Sequence, residues 1–376
     1  MKFWNRSFIF LALSLVLVLA GCGTKSNSAG SSASDNAASS TTETSTDDAA
    51  QKKLEIKTSF YPMYEFTRHV AGDLANVENL VPAGMEPHDW EPTAQDMAKL
   101  TEADVLVYNG AGLESWVGQA LDSATGSNLK AIEASQGIDI MEGSEEEGHS
   151  HSHGDEAHAD DHDHDHGEEA RSEEEHDHDH EHGEHAHEEH SHDESGHVHN
   201  HGGLDPHVWL SPQLAIQEVR NIEKGLSEVA PEYKEQFKAN ADAYVTELEA
   251  LDNEFTEGLK DSKRKDFITQ HAAFGYLAKQ YGLTQVPIAG LSPDQEPSPA
   301  QMADIVQFAK ENNVKTIFFE TLVSSKVADT IAKEIGAKTD VLNPIEGLTE
   351  EELAAGNDYV RVMRSNLEAL KTALNE

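Results

Sequence analysis

The sequence predicts an α/β protein of two lobes, each with a mainly parallel sheet flanked by helices, joined by one long rigid helix. Short apolar strands alternate with helical patterns in both halves of the chain, as they do in βαβ units. Between the halves, one apolar stripe with helical spacing runs from Phe237 to Phe255. These observations also predict a cleft between the lobes.

The first predicted lobe spans residues 53–230. Its elements are predicted, in order, as strand 54–60, helix 61–73, strand 79–81, helix 94–101, strand 104–109, helix 114–122, strand 130–132 and helix 212–229. Pro212 suits the first position of the last helix, because the N–H that proline lacks would have no helical partner there.

The connecting helix is predicted within residues 231–261. Its stripe consists of residues spaced four and three apart: Phe237, Ala241, Tyr244, Leu248, Leu251 and Phe255. A helix of about 28 residues is roughly 40 Å long, which is enough to cross from one lobe to the other.

The second predicted lobe spans residues 262–376. Its elements are predicted, in order, as strand 266–269, helix 272–281, strand 284–288, helix 299–312, strand 315–319, helix 325–335, strand 339–342 and helix 358–374. Ser298 is the expected N-cap of the second of these helices.

The N-terminus resembles a secretory signal, predicted over residues 1–21. A short apolar segment ends at Leu19-Ala20-Gly21-Cys22, which resembles a bacterial lipobox, so we expect lipidation of Cys22. An ordinary signal peptide with a chance cysteine is the alternative. Residues 22–52 carry the lipidated cysteine and a polar, flexible tether. The chain is therefore predicted to be lipid-anchored at the extracytoplasmic face of the cell membrane.

The composition limits the metal ligands and the partners that the chain can have. The chain has one cysteine, at position 22, so its lipidation would leave a mature protein that binds metal only through nitrogen and oxygen. The net charge of −43 argues against a nucleic-acid partner, which needs a basic surface.

Most of the histidines are concentrated in one acidic segment. Of 22 histidines, 18 lie between His149 and His201, among Asp and Glu residues and without hydrophobic periodicity. Residues 144–202 are therefore predicted to form a disordered insertion in the first lobe. We expect this insertion to bind several zinc or nickel ions weakly; a solvated spacer is the alternative.

Three of the other four histidines are candidate ligands of a folded metal site. His88 and His271 follow predicted strands, and His207 lies where the first lobe resumes after the insertion. Glu346 also follows a strand, and ligands bind beyond the carboxyl ends of parallel strands, so these residues are expected to converge in the cleft. His69, within a helix, is expected to be a core residue.

Three imidazoles and one carboxylate match tetrahedral Zn²⁺. Copper and nickel also bind nitrogen ligands, so ligand type alone leaves the metal open. The fourth ligand is also open, because Glu320 or a water molecule are alternatives to Glu346.

Several motifs closely resemble one family, the metal-binding lipoproteins of bacterial high-affinity zinc ABC importers. They are the segments that begin at Phe60-Tyr61-Pro62, Glu86-Pro87-His88, Asp205-Pro206-His207, Gln270-His271-Ala272 and Gly290-Leu291-Ser292, together with the His-rich insertion. The resemblance covers residue 54 to the C-terminus. It implies His88, His207 and His271 as zinc ligands, with Glu346 as the fourth. It also implies that the partners are an ABC permease and its ATPase.

The leading interpretation is that the chain, as a monomer, captures extracytoplasmic Zn²⁺ and delivers it to the permease. A surface metal-buffering or adhesion lipoprotein is the alternative. A zinc metalloenzyme is the least favoured function, because the sequence lacks an H-E-x-x-H motif.

Overall fold

The computed structural model describes residues 53–143 and 203–376. The predictions for the signal peptide, Cys22, the tether and the insertion 144–202 lie outside the described residues. Within the described ranges, no helix combines the length and the apolar character that crossing a bilayer requires.

The first sheet contains four parallel strands in the order β2-β1-β3-β4. The strands are β1 (Leu54–Thr58), β2 (Ala75–Asn79), β3 (Val105–Tyr108) and β4 (Lys130–Glu133). The helices of this half are α1 (Tyr61–Ala71), α2 (Ala94–Glu102), α3 (Val117–Ser123) and α4 (Pro212–Val229). In the central strands β1 and β3, residues 56–58 and 105–107 are buried, as expected for a parallel sheet covered on both faces.

The second sheet repeats this topology, with parallel strands in the order β6-β5-β7-β8. Its strands are β5 (Asp266–Thr269), β6 (Thr284–Pro287), β7 (Thr316–Phe319) and β8 (Lys338–Val341). Its helices are α6 (Gly275–Tyr281), α7 (Pro299–Glu311), α8 (Lys326–Ile335), α9 (Glu350–Ala354) and α10 (Tyr359–Ala373). Ser298 caps α7 as predicted, since its hydroxyl accepts a hydrogen bond from the N–H of Gln301.

The long helix between the sheets is α5 (Lys234–Leu259). Its 26 residues correspond to a length of about 39 Å. All six residues of the predicted stripe are buried. The helix packs against α1 and α4 of the first half and against α6 and α10 of the second. The predicted two-lobe α/β architecture is therefore confirmed.

Three predicted elements have other bounds in the structure; one is helix α3, which begins at Val117 rather than at residue 114. The strand predicted at 79–81 lies instead at Ala75–Asn79, an edge strand in which exposed polar residues alternate with more buried ones and weaken the apolar signal. Helix α6 begins at Gly275 rather than at residue 272, and the N–H of Ala272 donates to Gly290 O. The short helix α9 was not predicted.

Candidate metal centre

Four predicted side chains, His88, His207, His271 and Glu346, meet in one buried cluster. Each offers a ligand atom, and these atoms all lie within 4.8 Å of one another. His88 and His207 come from the first lobe, and His271 and Glu346 follow β5 and β8 of the second sheet. Each residue is at most 3% exposed. The carboxyl ends of the parallel strands thus bring His271 and Glu346 together as expected, and His88 and His207 reach the same cluster from loops of the first lobe.

The spacing of the ligand atoms fits a tetrahedral ion. Glu346 Oε1 lies 3.1 Å from His88 Nε2, 3.1 Å from His207 Nε2 and 3.3 Å from His271 Nε2. The Nε2 atoms of His88 and His207 are 3.3 Å apart. A tetrahedron with metal–ligand bonds of about 2.0–2.1 Å has edges of roughly 3.3 Å. Four of the six distances between the donors match these edges and the other two are at most 4.8 Å, so the four donors can surround Zn²⁺.

Two carboxylates orient the imidazoles of His207 and His271 from the side of each ring that faces away from the cluster. Asp205 Oδ1 lies 2.8 Å from His207 Nδ1, and Glu320 Oε1 lies 2.5 Å from His271 Nδ1. Each Nδ1–H therefore donates to a carboxylate, which leaves the Nε2 lone pair directed into the cluster. Glu320, the predicted rival to Glu346, contacts the far side of the His271 ring instead of joining the four donors.

Two buried polar atoms of the cluster lack a hydrogen bond. Among the described residues, neither His271 Nε2 nor Glu346 Oε2 has a hydrogen-bond partner. Buried polar atoms are rarely left unpaired unless an ion or a ligand satisfies them. A bound cation would supply the partner that these atoms lack, so the cluster suits a metal ion better than it suits a metal-free polar core.

Burial and charge act in opposite directions on these groups. Burial lowers the pKa of His88 to about 4, against the opposing effect of Glu346. Burial also lowers the pKa of His271, but Glu320 and Glu346 outweigh it and hold that pKa well above the usual range. The pKa of His207 is raised too, since Asp205 and Glu346 outweigh its burial. The carboxylates around His207 and His271 therefore favour positive charge at the site.

The backbone that presents Glu346 is strained. Ile345, which is fully buried, has a φ of 59°, a left-handed conformation that is costly for a β-branched residue. Its N–H donates to Asn343 Oδ1 at 2.7 Å, and the Asn366 side chain donates to Asn343 O at 2.7 Å. These hydrogen bonds hold the turn that directs the next side chain, Glu346, into the cluster.

Trp209 links the two halves of the site. Its indole N–H donates to Pro344 O at 2.8 Å, two residues before Glu346. The Trp209 ring packs against His207, with ring centroids 5.3 Å apart.

Glu86 is a further residue at the site, and it was not predicted. Its Oε1 accepts the N–H of His88 at 2.9 Å. Burial and the charge of Glu346 raise the pKa of Glu86 to about 10. Its position two residues before His88 was the only available signal.

His69 lies outside the cluster, as predicted, but its side chain is 32% exposed, so it is not the core residue that was expected. Its Nε2 is 3.2 Å from Glu65 Oε1, and its ring stacks on Tyr244 with centroids 3.8 Å apart. A histidine inside a helix therefore serves packing here.

Two α/β lobes enclosing a four-donor metal site define a bilobal solute-binding protein with a metal ion as its cargo. Residues 56–373 match the family described as "ZnuA: Zinc-uptake complex component A periplasmic". The chain belongs to this family.

Individual relatives agree with this assignment. The chain is 44% identical over 373 residues to the high-affinity zinc uptake system protein ZnuA of Bacillus subtilis, covering 99% of this chain and 98% of that protein. It is 45% identical over 327 residues to the zinc-binding lipoprotein AdcA of Streptococcus pneumoniae, and spans 57% of that longer protein. The crystal structure of the Zn(II)-bound ZnuA-like domain of AdcA matches with a TM-score of 0.65 at 41% identity, covering 86% of this chain and all of that domain.

Proposed function

We propose that this protein captures Zn²⁺ outside the cytoplasm and delivers it to an ABC permease for high-affinity uptake. The observation that carries the proposal is the convergence of three imidazole Nε2 atoms and one carboxylate oxygen in a buried, thiol-free site. His88, His207, His271 and Glu346 are the proposed ligands. The names of the relatives, a zinc uptake system protein and a zinc-binding lipoprotein, support zinc as the cargo.

The donor set favours zinc on physical grounds as well. Three nitrogens and one oxygen suit a tetrahedral ion, whereas Mn²⁺ prefers more carboxylate and water ligands. All four proposed donors come from the protein. A catalytic zinc keeps one coordination position open for water or substrate, so this arrangement favours binding and release over catalysis.

The N-terminal sequence and the family support the proposed location of the protein in the cell. Lipidation at Cys22 after removal of residues 1–21 would hold the protein at the extracytoplasmic face of the membrane, and residues 22–52 would serve as the tether. The term "lipoprotein" in the name of AdcA supports this anchor. The proposed division places the lobes at 53–230 and 262–376, joined through 231–261, in a monomer that meets the permease and its ATPase.

The His-rich insertion 144–202 is proposed to collect zinc near the site. Deleting it should lower the number of zinc ions bound per chain but leave one tight site. An unchanged stoichiometry would discard the collector role.

The transport role can be tested in cells. A strain that lacks this protein should grow poorly under zinc limitation and recover with the wild-type chain. Recovery should fail with Glu346→Ala, but should persist with Glu350→Ala, a matched change on the exposed start of α9. Equal recovery with both variants would contradict the proposed site, and normal growth of the deletion strain would contradict the transport role.

A further inference from the structure

Helix α6 of the second lobe touches the segment of the first lobe that carries His207. Tyr276 is the point of contact. It belongs to the segment that begins at His271, yet its side chain does not approach the metal site directly and is 4% exposed. The Tyr276 hydroxyl donates to Asp205 O at 2.8 Å and accepts the N–H of Met141 at 2.8 Å. Both of these hydrogen bonds of the hydroxyl are therefore made to the first lobe.

These contacts form a closed ring of hydrogen bonds. The N–H of Asp205 donates to Met141 O at 2.8 Å, so Met141, Tyr276 and Asp205 support one another. Asp205 in turn holds His207 twice, because its Oδ1 accepts the backbone N–H at 3.0 Å and lies 2.8 Å from the ring Nδ1. The hydroxyl of Tyr276 is thus two hydrogen bonds from the His207 imidazole.

The neighbouring residue allows the same close approach. A Cβ atom on Gly275 would lie 2.8 Å from Asp205 Oδ2, closer than a side chain carbon can sit, and 3.5 Å from the Met141 side chain. The absence of a side chain at Gly275 lets the start of α6 pack directly on the Asp205 carboxylate.

Resting on the proposed function, we propose that Tyr276 is a positioning residue of the zinc site. It sets the orientation of His207 through Asp205 and does so from the opposite lobe. The hydroxyl therefore couples the relative position of the two lobes to the orientation of the His207 imidazole. It also connects the site to Met141, close to the point at which the insertion leaves the first lobe.

Tyr276→Phe removes only the hydroxyl and keeps the ring packed against Ile138 and Val208. Zinc affinity of the full chain, measured at one equivalent of Zn²⁺ against a chromophoric chelator, should fall about tenfold, the lower end of the effect of residues that orient a metal ligand. Gly275→Ala should act in the same direction by displacing Asp205. The matched control is Tyr281→Phe on the same helix, whose hydroxyl bonds Asp252 at 2.9 Å, remote from the site. Its affinity should equal that of the wild type.

Two readouts separate positioning from simple destabilisation. With one equivalent of Co²⁺, the visible d–d spectrum should change in Tyr276→Phe and stay unchanged in Tyr281→Phe. In an Asp205→Ala background, Tyr276→Phe should weaken zinc binding by less than about twofold, because the carboxylate that contacts His207 is already lost. An unchanged cobalt spectrum, or an equal loss of affinity in both backgrounds, would overturn the inference. A wild-type chain without a tight zinc site would instead refute the proposed function itself.

Discussion

Replacing His271 with alanine tests the central claim most directly. The change removes one of four proposed donors, whose Nε2 lies 3.3 Å from Glu346 Oε1, and leaves Glu320 without its imidazole partner. Loss of a residue that only orients a ligand weakens metal binding by about 10–100-fold, so loss of a ligand should cost at least about 100-fold.

The magnitude can be read as zinc-dependent stabilisation. With free zinc buffered at 100 times the wild-type Kd, binding stabilises the wild type by about 2.7 kcal/mol. A variant with a Kd about 100-fold higher gains only about 0.4 kcal/mol under the same conditions. Denaturant unfolding with and without buffered zinc measures both gains, and each variant is its own reference for metal-free stability.

His69→Ala is the matched control, because it also deletes a histidine ring but one that stacks on Tyr244 outside the cluster. It should lower metal-free stability and keep the full gain from zinc. A His271→Ala protein that retains a gain of about 2.7 kcal/mol would refute the proposed coordination.

Three further predictions concern groups around and beyond the site. Glu320→Gln should weaken zinc binding by about 10–100-fold in a competition titration, since an amide orients the imidazole of His271 without its charge; wild-type affinity would exclude that orienting role. The raised pKa values of His207 and His271 mean that zinc must displace protons, so the zinc Kd should rise as the pH falls from about 8 to about 5.5, by up to roughly tenfold per pH unit for each proton displaced; a pH-independent Kd would contradict this competition. Burial, with a smaller effect from Glu114, raises the pKa of Glu218 well above its usual value. The folded state therefore holds a proton that the unfolded state releases above about pH 4.5. The free energy of unfolding should fall by about 1.4 kcal/mol per pH unit above that pH until the folded pKa is reached. Urea unfolding of metal-free Glu218→Gln should lack this part of the pH dependence, and identical slopes in the two proteins would show that Glu218 is ionised when folded.

Much of the site could be predicted because its residues stand in unusual local contexts. His88, His207 and His271 are set apart from the His-rich segment, and two of them follow strands of a parallel sheet. The carboxyl ends of such strands share one edge, so positions far apart in the chain become neighbours without any knowledge of side-chain packing. Glu346 was predicted on the same basis, and Glu320 could not be separated from it because it also follows a strand.

The difference between Glu320 and Glu346 depends on how the loops after the strands of the second sheet pack around His271. The ring of His271 presents Nδ1 to Glu320 and Nε2 to Glu346, and no sequence pattern encodes which nitrogen faces which carboxylate. The left-handed backbone at Ile345 is equally hidden, since a β-branched residue is a poor predictor of that conformation. The hydrogen bonds of Asn343 and Asn366 that hold it form between elements separated in the chain.

The sequence by itself determined the α/β class, the long helix and the types of ligand, because these follow from periodicities of a few residues and from the lack of thiols beyond position 22. Only the tertiary structure decided which carboxylate joins the imidazoles, and which side chains orient them. Asp205, Glu320 and Tyr276 make hydrogen bonds of 2.5–2.8 Å, two of these three between residues tens of positions apart. Such contacts arise when the packed lobes place a donor opposite an acceptor, a relation of distance and angle that local sequence does not contain.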